Sequence, residues 1–102
     1  MAKIVALYGT PKDPAAFDRY YRNVHVGIAK TIPGLRRYEM TRGPVLGLDG
    51  PSPWHLVATL TFDSVDAIHA ALASPQGRAT AADLANFATG GVELAIADTV
   101  EV

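Results

Sequence analysis

The sequence predicts an α+β domain: four strands in one antiparallel sheet, with helices packed on one face. Three observations carry that expectation. Four segments show the strand pattern of short apolar runs or two-residue alternation. Two further stretches repeat apolar residues every three to four positions, as a helix does. Glycine and proline gather between these stretches, which follow one another in the order β-α-β-β-α-β.

Lys3 to Tyr8 is rich in Val, Ile, Leu and Tyr and predicts a strand covered on both faces, ended by Gly9-Thr10-Pro11. Asp13 suits an N-cap and Pro14 a first helical position, where a missing N–H has no partner to lose. The helix runs on towards Thr31, with Gly27 the expected point of loosening. Phe17, Tyr21, Val24 and Ile28 fall at i, i+4, i+7 and i+11 and predict one stripe facing the core. His25, four residues after Tyr21, lies about 40° further round the axis, at the edge of that face. Pro33-Gly34 ends the helix and Leu35 to Arg42 predicts the second strand. Gly43 to Pro53 is too rich in Gly and Pro for regular structure, so a long connection, mobile relative to the strands, is expected.

Trp54 to Phe62 alternates. Leu56, Ala58, Leu60 and Phe62 point one way, and His55, Val57, Thr59 and Thr61 the other. Asp63 or Ser64 caps a helix whose buried stripe is Val65, Ile68 and Leu72. Ser74-Pro75 breaks it and starts another, carrying Ala79, Ala82, Leu84, Ala85 and Phe87, which Gly90-Gly91 stops. From Val92 to Val102 alternation returns, with Leu94, Ile96, Val100 and Val102 on one face. The whole is a split βαβ arrangement in the ferredoxin-like manner. Val5 and Leu7 opposite Ile4 and Ala6 leave both faces of the first strand apolar. A second copy packed sheet to sheet would cover the free face, which predicts a homodimeric α/β barrel.

A chain of 102 residues has room for one core, so residues 1–102 are expected to be a single domain. Almost half the residues are hydrophobic and about a fifth charged, which excludes a disordered chain. A net charge of −1 gives no reason to expect nucleic acid. Absence of cysteine excludes disulfides, thiolate metal sites and a cysteine nucleophile, and suits a cytoplasmic location. MAKIVALYG is too short for a signal peptide, and no segment approaches the ~18 apolar residues of a membrane span.

His25 is the candidate general base or acid, because an ordinary histidine titrates near neutrality. Tyr21 is its candidate catalytic companion through the four-residue spacing. Among the other phenols, Tyr8 is a candidate substrate contact, while Tyr20 and Tyr38 are expected to pack. Trp54, closing the Gly-Pro loop, is expected to shape a pocket mouth or equally to cap the core beneath that loop, and Phe87 is a candidate substrate contact whose place before the double glycine suits the core better. His55 and His69 form no HxH or HxxxH pair with His25, so no metal site is expected. Gly43, Gly47 and Gly50 join two strands and form no phosphate loop, so no cofactor is evident.

ALYGTPKDPAAFDRYYRNVH, IPGLRRYEMTRGPV and PSPWHLVATLTFDSVDAIHAALASPQGRATAADLANFATGGVE, in this order, resemble the EthD family, named for ethyl tert-butyl ether degradation. The resemblance implies a dimeric α/β barrel and a part in the oxidative breakdown of organic compounds, often described as reductase activity. The family usually has proline two residues after the helix histidine, where this chain has Gly27. Two readings follow. One is an oxidoreductase-type or proton-transfer enzyme acting on a hydrophobic small molecule between sheet and helices. The other is a non-catalytic binding or accessory protein for a neighbouring oxygenase.

Overall fold

The computed structural model describes residues 1–102. Strand β1 (Ala2–Gly9) is followed by α1 (Pro14–Tyr20), a π turn (Tyr21–His25) and α2 (Val26–Ala29) in one continuous helical run. After β2 (Arg37–Met40) and β3 (Trp54–Phe62) come α3 (Val65–Ala73), α4 (Pro75–Asp83), a 3₁₀ turn (Leu84–Asn86) and β4 (Val92–Asp98). The sheet order is β2-β3-β1-β4 and every neighbouring pair is antiparallel, as a ferredoxin-like fold requires. Ile4, Ala6 and Tyr8 of β1 stand opposite Leu60, Ala58 and Leu56 of β3, and this face carries the core. Phe17, Tyr21, Ile68 and Phe87 pack on it from the helical side.

The capping chemistry is local. Asp13 Oδ1 accepts from the Ala16 N–H at 3.1 Å, with Pro14 opening the helix behind it. Ser64, rather than Asp63, caps α3 by accepting from the Ala67 N–H at 3.0 Å. Ser74 ends α3 and also caps α4, its hydroxyl accepting from the Gly77 N–H at 3.0 Å.

Four expectations are corrected. In the first helical run the buried residues are Phe17, Tyr21, His25 and Ala29, whereas Val24 is exposed and Ile28 only half-buried. A four-residue repeat overshoots an α-helix by about 40° per step, and the wider π turn absorbs the excess. The deformation thus falls at Tyr21–His25, where the Val26 N–H reaches back to the Tyr21 carbonyl, and not at Gly27. On β3, register slips between Tyr8 and Gly9, so that Trp54 rather than His55 faces Gly9. This bulge sends the His55 ring towards α1, edge-on to Phe17 at 5.0 Å, instead of out with Val57 and Thr59. Ile68 and Phe87 are buried in the second helical region as expected, but the other buried positions are Ala71, Gly77 and Asp83, while Leu72, Ala79, Ala82 and Ala85 are exposed. At Gly77 the backbone of α4 lies directly against the Ala71 and Leu72 backbone of α3, which turns that side of α4 inward. Finally, β2 is shorter than Leu35 to Arg42, and β4 ends at Asp98, leaving Val100 and Val102 outside the sheet.

The connection 43–53 is irregular apart from one bridge between Leu46 and Pro51. No helix is long and apolar enough to cross a membrane.

Candidate active site

The π turn puts His25 on the sheet side of the helix, 3% exposed, with its ring 5.3 Å from that of Tyr21. Phe87 backs the imidazole at 4.6 Å. Across the helix pair, the last residue of α4 supplies the partner: His25 Nδ1 lies 2.9 Å from Asp83 Oδ2. Asp83 is itself buried and takes two further hydrogen bonds, from the Tyr20 hydroxyl at 2.6 Å and the Asn86 amide at 3.0 Å. Burial pushes the Asp83 carboxyl up, but the hydrogen bonds from Tyr20, Asn86 and His25 outweigh it and hold the group below its ordinary range. Burial lowers the His25 pKa, and the hydrogen bond and charge of Asp83 restore only part of the loss.

These directions determine the tautomer. An ionised Asp83 can only accept, so Nδ1 of His25 must carry the proton and donate it. The ring is neutral near pH 7, so Nε2 holds a free lone pair. No closed-off side-chain nitrogen or oxygen lacks a partner, and Nε2 has none within the protein. Nε2 therefore opens onto the adjoining cleft.

That cleft lies between the sheet and the helices, and its volume is about 70 Å³. Its floor is Ile4, Ala6, Ala58 and Leu60; His25, Tyr8, Tyr21 and Tyr38 form its polar-tipped walls. Helix α4 packs on α2 and α3 and roofs the cleft through Gly77, Thr80 and Ala81. Leu72 and Leu94, both substantially exposed, form the rim. The space holds a small group, so a ligand of ordinary size must part this leucine rim or extend beyond it. On the far side of Tyr21 is a more polar hollow of about 330 Å³, bordered by Asp18, Arg22, Thr41 and His55. There His55 Nε2 meets Asp18 Oδ1 at 2.8 Å.

Of the residues singled out in the sequence, His25, Tyr21 and Tyr8 come together on the cleft. Phe87 supports the imidazole from behind and does not border the cleft. Trp54 is half-buried at the start of β3 and borders neither the cleft nor the larger hollow. His69 is exposed on α3, and no group of three or more His, Asp or Glu side chains is placed to hold a metal ion.

Asp83 and Tyr38 are site residues that the sequence reading missed. Asp83 carried one signal, since an acid in the last turn of a helix faces the negative end of the helix dipole and wants another reason to be there. Tyr38, whose hydroxyl is 2.6 Å from that of Tyr21, carried none.

Comparison with known proteins adds the following. A family model described as the EthD domain matches residues 10–91. An uncharacterized 11.0 kDa protein from the thcB-thcC intergenic region of Rhodococcus erythropolis is 40% identical over 96% of this chain and 94% of its own. A crystal structure of an EthD family protein from Bacillus halodurans superposes with a TM-score of 0.90 at 33% identity, covering 98% of this chain and 99% of that one. Two more distant structures share the fold. The cofactor-independent oxygenase SnoaB of Streptomyces nogalater has a TM-score of 0.69 at 20% identity, over 99% and 94% of the two chains. A dimeric ferredoxin-like protein of unknown function from Thermobifida fusca has a TM-score of 0.70 at 18% identity, over 96% and 90%.

Proposed function

Because the chain belongs to the EthD family, we propose that it is a small enzyme which removes a proton from a hydrophobic organic compound during its breakdown. One observation carries this reading: buried Asp83 fixes the His25 tautomer, so that an unprotonated Nε2 faces an apolar cleft. His25 is the general base. Asp83 is a positioning residue that also steadies the imidazolium once the proton has moved. The anion left behind is electron-rich, which makes it the form most open to oxidation. One solved relative of the same fold is described as a cofactor-independent oxygenase, and this supports placing the chemistry among oxidative degradations.

The test is deuterium exchange in D₂O at the acidic C–H positions of apolar aryl ketones and nitroalkanes. Wild-type protein should accelerate exchange, with a rate that rises with pH through a value below the ordinary histidine pKa and is level at neutral pH. His25→Gln should lose about 10²-fold or more. An unchanged rate in His25→Gln would remove the base, and tight binding without exchange in the wild type would leave a binding protein.

The working unit is a homodimer on this reading. Val5, Leu7, Val57 and Ala95 lie on the sheet face away from the helices, and a second copy would cover them. Sedimentation at micromolar concentration should find dimer; a well-folded monomer alone would refute it.

A further inference from the structure

Three phenols meet beside His25, each from a different element. Tyr8 comes from β1, Tyr21 from the π turn and Tyr38 from β2, and all three border the cleft. Tyr21 stands in the middle. Its hydroxyl is 2.6 Å from that of Tyr38, either one being able to donate, and its ring meets that of Tyr8 edge-on at 5.6 Å. Burial pushes the titration of all three upwards, so the cluster keeps its three protons throughout the neutral range.

Proton counting then constrains what the cluster can do. The Tyr21 and Tyr38 hydroxyls make one hydrogen bond with each other, which occupies one of the three protons and leaves two. The Tyr8 hydroxyl makes no hydrogen bond within the protein, and no closed-off side-chain oxygen lacks a partner, so the Tyr8 O–H opens onto the cleft that Tyr8 borders. A neutral phenol offering a proton inside an apolar wall is suited to an oxygen atom that carries, or is about to carry, negative charge. The same wall holds the free Nε2 of His25.

We propose that Tyr8, Tyr21 and Tyr38 form an oxyanion-binding site, and that the compounds acted on carry a carbonyl or phenolic oxygen next to the proton that His25 removes. This rests on the reading of His25 as the base and narrows it to a substrate class. The step balances without a further reagent. The Nε2 lone pair takes the proton from a C–H beside the carbonyl, and the C–H electron pair becomes the second bond of the enolate. The carbonyl π pair moves onto oxygen, which accepts from the free phenol O–H. The imidazolium keeps Nδ1–H on Asp83 and returns its proton to carbon or to solvent. With a phenolic compound the O–H proton itself leaves and the same hydroxyls receive the phenolate oxygen.

The test uses 4-nitrophenol, whose visible band reports the phenolate, with 4-nitrotoluene as a probe of equal shape and no oxyanion, both measured by equilibrium dialysis against the full chain. Wild-type protein should bind the phenolate more tightly than the nitrotoluene. Tyr8→Phe should weaken phenolate binding about tenfold or more while leaving nitrotoluene affinity within about twofold, because only a charge-assisted hydrogen bond is removed. Retained nitrotoluene binding shows that each variant is folded, and Tyr21→Phe and Tyr38→Phe, each of which takes one hydroxyl from the bonded pair, should weaken phenolate binding in the same direction. Equal affinity for the two probes, phenolate binding untouched by all three substitutions, or binding of neither probe would each overturn the proposal. His25→Gln should keep phenolate affinity although it loses exchange. Failure of the phenols therefore appears separately from failure of the base.

Discussion

Asp83→Asn should preserve the fold and reduce proton transfer by about 10³- to 10⁴-fold, the scale seen when a histidine base is held in the wrong tautomer. The amide oxygen can still accept from the Tyr20 hydroxyl and the Asn86 amide, which now stand at 2.6 and 3.0 Å from Oδ1. The amide NH₂ then faces His25 Nδ1, where Oδ2 now lies at 2.9 Å. Two donors cannot share that position, so Nδ1 becomes the acceptor and the proton moves to Nε2. The nitrogen facing the cleft is then an N–H and no longer a base. Nitrogen chemical shifts of the ring, read by NMR, should report the exchange of tautomers alongside the lost activity. An Asp83→Asn protein that retained Nδ1–H and near wild-type exchange would show that Asp83 has no positioning role. The pair also sets an acid limit to stability. Both folded pKa values lie below their ordinary ones, so the contribution of neutral His25 is present above about 6.5 and that of ionised Asp83 above about 3.8. Each is lost as pH falls through the lower folded value.

Gly77→Ala should destabilise the protein by ~1–3 kcal/mol, while Gly27→Ala, the same change on a neighbouring helix, should stabilise it by ~0.4–1 kcal/mol. A Cβ on Gly77 would stand 2.1 Å from the Ala71 carbonyl oxygen and 2.8 Å from the Leu72 Cα. Both are backbone, so no side chain can swing away and α4 must move off α3. Helix α4 is the roof of the cleft and ends in Asp83, so the displacement should also loosen the hydrogen bond to His25 and lower exchange. A Cβ on Gly27 would meet nothing within 4 Å and would only reduce the freedom of the unfolded chain. Thermal melts measure both, at ~4–8 °C per kcal/mol for a chain of about this size. A Gly77→Ala protein as stable as the wild type would mean that α4 rests loosely.

Much of the fold was legible in the chain because its signals are local. Asp13-Pro14, Ser64 and Ser74-Pro75 start helices through side chains that bond to backbone within three residues. Leu56, Ala58, Leu60 and Phe62 alternate because a strand alternates, whatever lies around it. His25 and Tyr21 were legible as a pair because four residues on a helical run bring side chains near one face.

The remainder depended on distances that no local pattern encodes. Whether Val24 or His25 faced the sheet turned on five residues adopting a π turn, which the surrounding packing selects. Whether His55 pointed out or towards α1 turned on a one-residue slip in register against β1. By itself the sequence determined the element order, the caps and the presence of a titratable ring on an apolar helix face. Only the tertiary structure decided that the ring is a base: Asp83 lies 58 positions away along the chain, and Tyr38, 17 positions from Tyr21, comes from a separate strand. A pKa and a tautomer are properties of the groups around a side chain, and for His25 those groups are assembled only when α4 closes over the sheet.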